Sequence, residues 1–299
     1  MSTTQSSARI TVKNILFLTD FSEPSESALP LAFATAREYG ATVHALHVLV
    51  PQPSAYISPD TTMAAIDAQE ECATAEMQRV ESQLAGVAHE VRVVRGVDVW
   101  APVEQAIENC HADLIVLGTH GRAGAQKMIL GSVAEEVFRR SPVPVLTVGP
   151  RAREGMHGAA RFHRVLHATD FSTEARAAAP YAVSLAQENQ AHLILLHVMD
   201  GRRNQVGPGG TGMSIAVAMH ELLELIPADA ELWCRPEPVV QYGQVAERIL
   251  EEAKGRHADL IVLGVRGAAG HLRAATHFRR SVAYQVVANA RCPVLTVRA

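Results

Sequence analysis

The sequence predicts an α/β fold built twice over: two tandem doubly wound domains, each an open five-stranded parallel sheet flanked by helices. Three observations carry this. The word HADLIVLG occurs at 111–118 and again at 257–264. The stretch from Lys13 to Val48 aligns without a gap on His163 to Val198, so that Thr19-Asp20-Phe21-Ser22 falls on Thr169-Asp170-Phe171-Ser172 and Leu46-His47-Val48 on Leu196-His197-Val198. Within each copy, short apolar runs alternate with longer stretches of helical period, the pattern of βαβ units.

In the first copy the apolar runs predict strands at Asn14–Thr19, Thr42–Leu49, His89–Val94, Leu114–Gly118 and Val143–Val148. Their apolar residues follow one another without alternation, as in strands covered on both faces. Helices are expected near Pro24–Tyr39, Met63–Leu84, Trp100–Asn109 and Val133–Arg139. Pro30 and its counterpart Pro180 fall inside the first helix of each copy and predict a kink or a break there. Each copy closes on a matching strand, PVPVLTV at 142–148 and RCPVLTV at 291–297. The last strand, apolar at a sheet edge, seeks a partner.

A chain of 299 residues has room for two domains of about 150 residues. The expected boundaries are 1–150 and 160–299, joined through the Gly-, Pro- and charge-bearing stretch Gly149–His163. Two irregular stretches, from Pro51 to Thr62 and from Asp200 to Gly212, are expected to form mobile loops beside the ligand end of each sheet.

The formal charge of −4 offers no basic field for nucleic acid and no acidic tail. Cys72, Cys110, Cys234 and Cys292 are scattered without CxxC or Cys/His pairing, which predicts reduced thiols and neither a zinc site nor a disulfide framework. No apolar run has the length of a signal peptide core or a membrane span. The expectation is a soluble cytoplasmic protein that engages neither nucleic acid nor membrane.

The chemistry should lie after the fourth strand of the first copy. There Gly118, Gly121 and Gly131-Ser132 precede a helix in the spacing G-x2-G-x9-G-S. A strand-loop-helix turn at the carboxyl end of a parallel sheet offers backbone amides and a helix N-terminus to an anion. Glycine there lets phosphate oxygens approach the backbone.

With TDFS ending the first strand and PVPVLTV forming the last, the chain resembles the universal stress protein family in its tandem two-domain form. The resemblance spans nearly all of both copies and implies the adenine nucleotide alpha hydrolase-like fold. It implies ATP or a related adenine nucleotide as ligand, with Mg as an optional companion ion. It assigns ribose and phosphate binding to Gly118, Gly121, Gly131 and Ser132, with Val133 following in the helix N-terminus. Asp20 would lie at the adenosine end and Val48 against adenine.

In the second copy Asp170, Val198, Gly264, Gly267 and Ser281 match. However, twelve residues rather than nine precede Arg280-Ser281, and Arg280 replaces the glycine. The expectation is a complete nucleotide motif in domain 1 and a degenerate one in domain 2. The resemblance also implies pairing of the last strands between domains, a homodimer of tandem chains and an unidentified protein partner.

Plainer readings stand beside these. Ser132-Val133-Ala134-Glu135 has the spacing of a capping box. Asp20 and Asp170 could be turn residues. His47 and His197 suit polar satisfaction at a strand end, and His44 and His47 face opposite sides and make a poor metal pair. His120, Arg122 and Lys127, and in the second copy Arg266, His271, Arg273, His277, Arg279 and Arg280, are phosphate ligands or solvated loop charges. No GxSxG, HExxH or Walker sequence occurs, so no dedicated catalysis is expected. A ligand-linked switch is the leading function. A nucleotide-independent scaffold and a slow ATPase or phosphotransferase are the rivals.

Overall fold

The computed structural model describes residues 10–50, 59–119, 130–152, 161–200, 214–227, 234–266 and 281–299. The chain separates into two units, Thr11–Val148 and Gly149–Ala299, and Ile10 belongs with the second. The first unit runs β1 (Asn14–Leu18), α1 (Glu23–Tyr39), β2 (Thr42–Leu49), α2 (Pro59–Gln83), β3 (His89–Arg95), α3 (Trp100–Cys110), β4 (Leu114–Gly118), α4 (Ser132–Arg140) and β5 (Val145–Val148). The second runs β6 (Arg164–Thr169), α5 (Thr173–Asn189), β7 (His192–Met199), α6 (Ile215–Glu224), β8 (Arg235–Tyr242), α7 (Val245–Gly255), β9 (Leu260–Val265), α8 (Val282–Asn289) and β10 (Val294–Arg298).

Strand order in the first unit is β3-β2-β1-β4-β5, and in the second β8-β7-β6-β9-β10; all pairings within each unit are parallel. The chain winds outward from β1 to β3 and then returns beside β1 as β4. That reversal opens a crevice at the carboxyl ends of β1 and β4. The inner strands are buried on both faces, as their unbroken apolar runs require, with Ile15, Phe17, Ile115 and Val116 wholly inaccessible.

The repeated HADLIVLG performs the same tasks in each unit. His111 (φ 49°) is the left-handed cap of α3, and His257 (φ 52°) takes the same conformation one residue beyond the Arg256 cap of α7. Two residues on, Asp113 Oδ2 accepts from the amides of Lys13 and Asn14 at 2.7 and 2.9 Å, and Asp259 Oδ2 from those of His163 and Arg164 at 2.7 and 2.9 Å. Each aspartate thus ties the start of the fourth strand of its unit to the start of the first. LIVLG then supplies the buried strand.

Three expectations are corrected. Neither Pro30 nor Pro180 breaks its helix: α1 and α5 each run seventeen residues through the proline. Both prolines lie on the exposed face, where water can serve the carbonyl that loses its amide partner. β5 starts two residues later than expected, because Ser141 Oγ donates to Val143 O (2.7 Å) and accepts from Val143 N (3.2 Å), holding that segment in a turn. Residues 59–62, read as loop, belong to α2, whose first residue is Pro59, a favoured opening residue. Residues 51–58 and 201–213 lie outside the described residues.

One core position differs sharply between the copies. Phe17 on β1 is replaced on β6 by His167, fully buried, with Nδ1 3.2 Å from Val262 O and no partner for Nε2 among the described residues. Burial lowers its pKa from 6.5 to about 4, against smaller opposing contributions from backbone carbonyls. The unfolded chain therefore takes up this proton first as pH falls, so the neutral-imidazole stability is complete above pH 6.5 and is lost between 6.5 and about 4. We expect His167→Phe to remove an acid-labile contribution on the order of 3 kcal/mol. Denaturant titrations of both proteins across that range check it, and equal pH slopes would refute it.

Candidate functional site

At the reversal point of the first unit lies a cavity of about 350 Å³. Its walls bring together, from distant parts of the sequence, Asp20 after β1, Val48 on β2, Gly118 ending β4, and Gly131, Ser132 and Val133 opening α4. Ser25 and Thr119 complete the polar side, and Leu18, Val99, Val103 and Ala134 form an apolar wall. Gly121 lies outside the described residues, as do His120, Arg122 and Lys127.

The turn after β1 explains the TDFS word. Phe21 holds φ 58°, a strained left-handed conformation for an aromatic residue, and Phe171 repeats it at 62°. The Phe21 amide donates to Thr19 Oγ1 (3.0 Å), and His47 Nδ1 lies 2.8 Å from Thr19 O, its ring 4.4 Å from that of Phe21. The second unit copies each contact: Phe171 N to Thr169 Oγ1 at 2.9 Å, His197 Nδ1 to Thr169 O at 2.9 Å, and ring centroids 4.6 Å apart. The two histidines are thus clamps on the turn. His44 points elsewhere, toward Glu90 and Asn14.

Asp20 has a structural duty as well as a place on the wall. Its Oδ1 accepts from Ser22 N (3.0 Å) and Ser22 Oγ (2.5 Å), and Ser22 is the N-cap of α1. Asp170 repeats the amide contact at 3.1 Å.

Gly118 is required for packing. A Cβ there would meet Pro24 C and O at 2.6 Å and Ser25 N at 2.8 Å, because the first turn of α1 lies directly on the end of β4. At Gly264 the equivalent contacts, to Glu174 and Ala175 backbone atoms, are 2.3 Å.

The start of α4 corrects the capping-box reading. Gly131 is the N-cap and Ser132 the first helical residue; Gly131 O accepts from Glu135 N at 2.8 Å, while Gly131 N donates to Thr119 O at 2.8 Å. Glycine has no side chain to cap with. Among the described residues the amides of Ser132, Val133 and Ala134 have no acceptor, and all three residues line the cavity. Such a terminus, with its partial positive charge, is suited to an anion.

The second unit begins its equivalent helix differently. Ser281, aligned with Ser132, is itself the N-cap of α8, its Oγ accepting from Tyr284 N at 3.2 Å. The hydroxyls of Ser25 and Thr119 are replaced by the methyl of Ala175 and the side chain of Val265. Arg266 Nε sits 3.6 Å from Glu174 Oε1, joining the end of β9 to the start of α5. Burial pushes the Asp170 carboxyl up, yet hydrogen bonds from Ser172 and the charge of Arg266 outweigh it and hold Asp170 below the usual aspartate range. Val198 is buried at the end of β7. Gly267, Arg280 and the remaining cationic residues from 271 to 279 lie outside the described residues.

Sequence reasoning missed Ser25 and Thr119. Both are buried, and the Ser25 hydroxyl donates to Ser22 O (2.9 Å) while lying 3.1 Å from Thr19 Oγ1. Their signal was in the sequence, as positions where otherwise parallel copies differ in polarity. Among the described residues no group of three or more His, Cys, Asp or Glu side chains is placed to hold a metal ion, and no helix is long and apolar enough to cross a membrane. The four cysteines are free thiols.

Comparison with known proteins agrees with this geometry. The model of the universal stress protein family matches residues 11–149 and 161–298. A universal stress protein of Methanocaldococcus jannaschii is 32% identical over 145 residues, covering 48% of this chain and 85% of that protein. One from Thermus aquaticus is 35% identical over 142 residues, 46% of this chain and 99% of that protein. The crystal structure of a universal stress protein from Archaeoglobus fulgidus superposes with a TM-score of 0.74 over 97% of this chain and 98% of that one, at 24% identity, sharing the fold.

The contacts at Gly118 and Gly264 yield a prediction independent of any ligand. Overpacking against backbone costs about 1–3 kcal/mol. Gly118→Ala and Gly264→Ala should each lower the denaturation midpoint by a corresponding amount without nucleotide present. An unchanged midpoint in both would contradict the packing role.

Proposed function

We propose, from the premise that this chain belongs to the universal stress protein family, that its first unit binds ATP or a related adenine nucleotide. The observation that carries the reading is the α4 terminus: three amides without acceptors among the described residues, following a glycine N-cap, open onto a cavity at the switch point of the sheet. The terminus would hold phosphate, with the Ser132 hydroxyl as a further donor. Asp20 and the end of β2 at Val48 would take the adenosine end, as family membership suggests. A bound ATP would supply the anionic phosphates and bring Mg with it, because Asp20 is the sole carboxylate on the cavity wall among the described residues.

The second unit is read as the weaker or silent copy. Ser281 satisfies its own helix, the site has lost two hydroxyls, and the Arg266–Glu174 pair occupies its flank. The biological consequence we propose is a ligand-linked switch, in which nucleotide orders segments around the first cavity and alters a surface that a protein partner reads.

Equilibrium titration of the full chain with ATP should give one strong site. Gly131→Val, compatible with the N-cap backbone at φ −57° and ψ 153° but bulky at the cavity wall, should weaken it at least tenfold. Ser281→Ala should leave binding unchanged while destabilising the second unit by about 1 kcal/mol. Two equivalent sites would refute the asymmetry. No adenine nucleotide bound by, or released from, the folded protein would favour the scaffold reading. In limited proteolysis, saturating ATP should slow cleavage within 51–62 and 118–131, and an unchanged pattern would remove the switch while leaving binding intact.

A further inference from the structure

The second unit contains a larger hollow that includes none of Asp170, Gly264 and Ser281, a groove of about 850 Å³ between α7 and α8. Its floor is Ala246, Leu250, Ala253, Ile261 and Cys292. In the first unit the residues aligned with Ala246 and Asn289, both on this groove, are Trp100 and Arg140. There the indole of Trp100 is buried, and the Arg140 guanidinium lies over it, 4.7 Å from the ring centroid. The same frame therefore accepts a planar aromatic group between its last two helices, capped by a cation. In the second unit the indole has become a methyl and the guanidinium an amide, and although α7 packs on α8 an open groove remains.

The rim carries three cations and three carboxylates, and they differ in how they are paired. Arg151, Lys254 and Arg291 border the groove and make no ion pair among the described residues. Of the three bordering carboxylates, Glu251 is paired with Arg248 at 2.6 Å, while Asp259, which accepts two backbone amides, and Glu247 keep their charge, so the three cations at the mouth outnumber the carboxylates outside an ion pair by one. Cys292 contributes as an apolar wall, since burial and the nearby Asp259 push its thiol up to about 12.

We infer that this groove binds a small aromatic carboxylate, its ring against Ala246, Leu250 and Ala253 where the first unit keeps Trp100, and its anionic group toward Arg291, Lys254 or Arg151. The volume lies within the range of small-molecule pockets, and a mainly apolar lining with a few charged groups at the mouth is their usual composition. Flat aromatic rings gain most from such a slot, and a nearby guanidinium can serve both ring face and carboxylate. The site is separate from the proposed nucleotide cavity in the other unit.

The test uses the full chain and indole-3-propionate, followed by calorimetry and by ligand-observed NMR, with neutral 3-methylindole as the control. We expect one saturable site per chain, at least tenfold weaker binding of the neutral compound, and a loss of several-fold in Arg291→Gln. The double substitution Ala246→Trp with Asn289→Arg rebuilds the plug of the first unit and should abolish binding while ATP binding persists. Gln285→Trp, on the exposed side of α8 at the groove, blocks the slot from the other wall and serves if the double variant folds poorly. Absence of saturable binding to the unaltered chain, or binding that survives either blocking substitution, overturns the proposal. Equal affinity for the neutral compound overturns the assignment to a carboxylate.

Discussion

The first turn of α1 rests on the last residue of β4 so closely that no side-chain carbon fits between them, and the rest of the first site depends on that approach. It fixes Ser25 and the Asp20 turn against the end of β4, and so decides how far they stand from the start of α4. The turn itself is held in a left-handed backbone by the Thr19 hydroxyl, the His47 ring and the Ser22 cap. A glycine that sequence motifs associate with phosphate is, in this protein, first a packing requirement, and any binding role is superimposed on it. The second unit keeps the same approach, tighter still, around a crevice whose lining has changed.

That separation of frame from lining accounts for what could be read in the sequence. The frame consists of words repeated nearly unchanged, HADLIVLG and TDFS, and aligning the copies located the sheets, the switch point and the residues around it. Departures at Pro30 and Pro180 arose because exposure, which no single sequence states, decides whether water can replace a missing hydrogen bond. Ser132 misled through spacing alone: a capping box needs the serine outside the helix, and Gly131 had already taken that position. The Pro59 start of α2 was legible, since proline commonly opens helices, but the surrounding polar residues drew it into a loop.

Ser25 and Thr119 were overlooked for a deeper reason. Alignment of the copies rewards identity, whereas the linings of the two crevices differ at positions where identity fails: serine against alanine, threonine against valine. The same holds for Trp100 and Ala246. Two copies of one scaffold keep the TDFS turn and the HADLIVLG strand and still present different hollows. Divergence here has acted on side chains around the hollows, on the cap of the last helix and on one core position, Phe17 against His167.

Asp113 and Asp259 each reach back over about a hundred residues to the amides that open their own sheet. Such distant closure gives each unit a high contact order and a correspondingly slow passage to its native topology. During synthesis on the ribosome, the apolar strand beginning at Asn14 must wait for its anchoring carboxylate until the chain has grown past residue 113, and the interval recurs for the strand beginning at Arg164. A nascent chain of this design carries bare sheet-forming segments twice, which makes the speed of translation and the protection of holdase chaperones part of what its architecture demands.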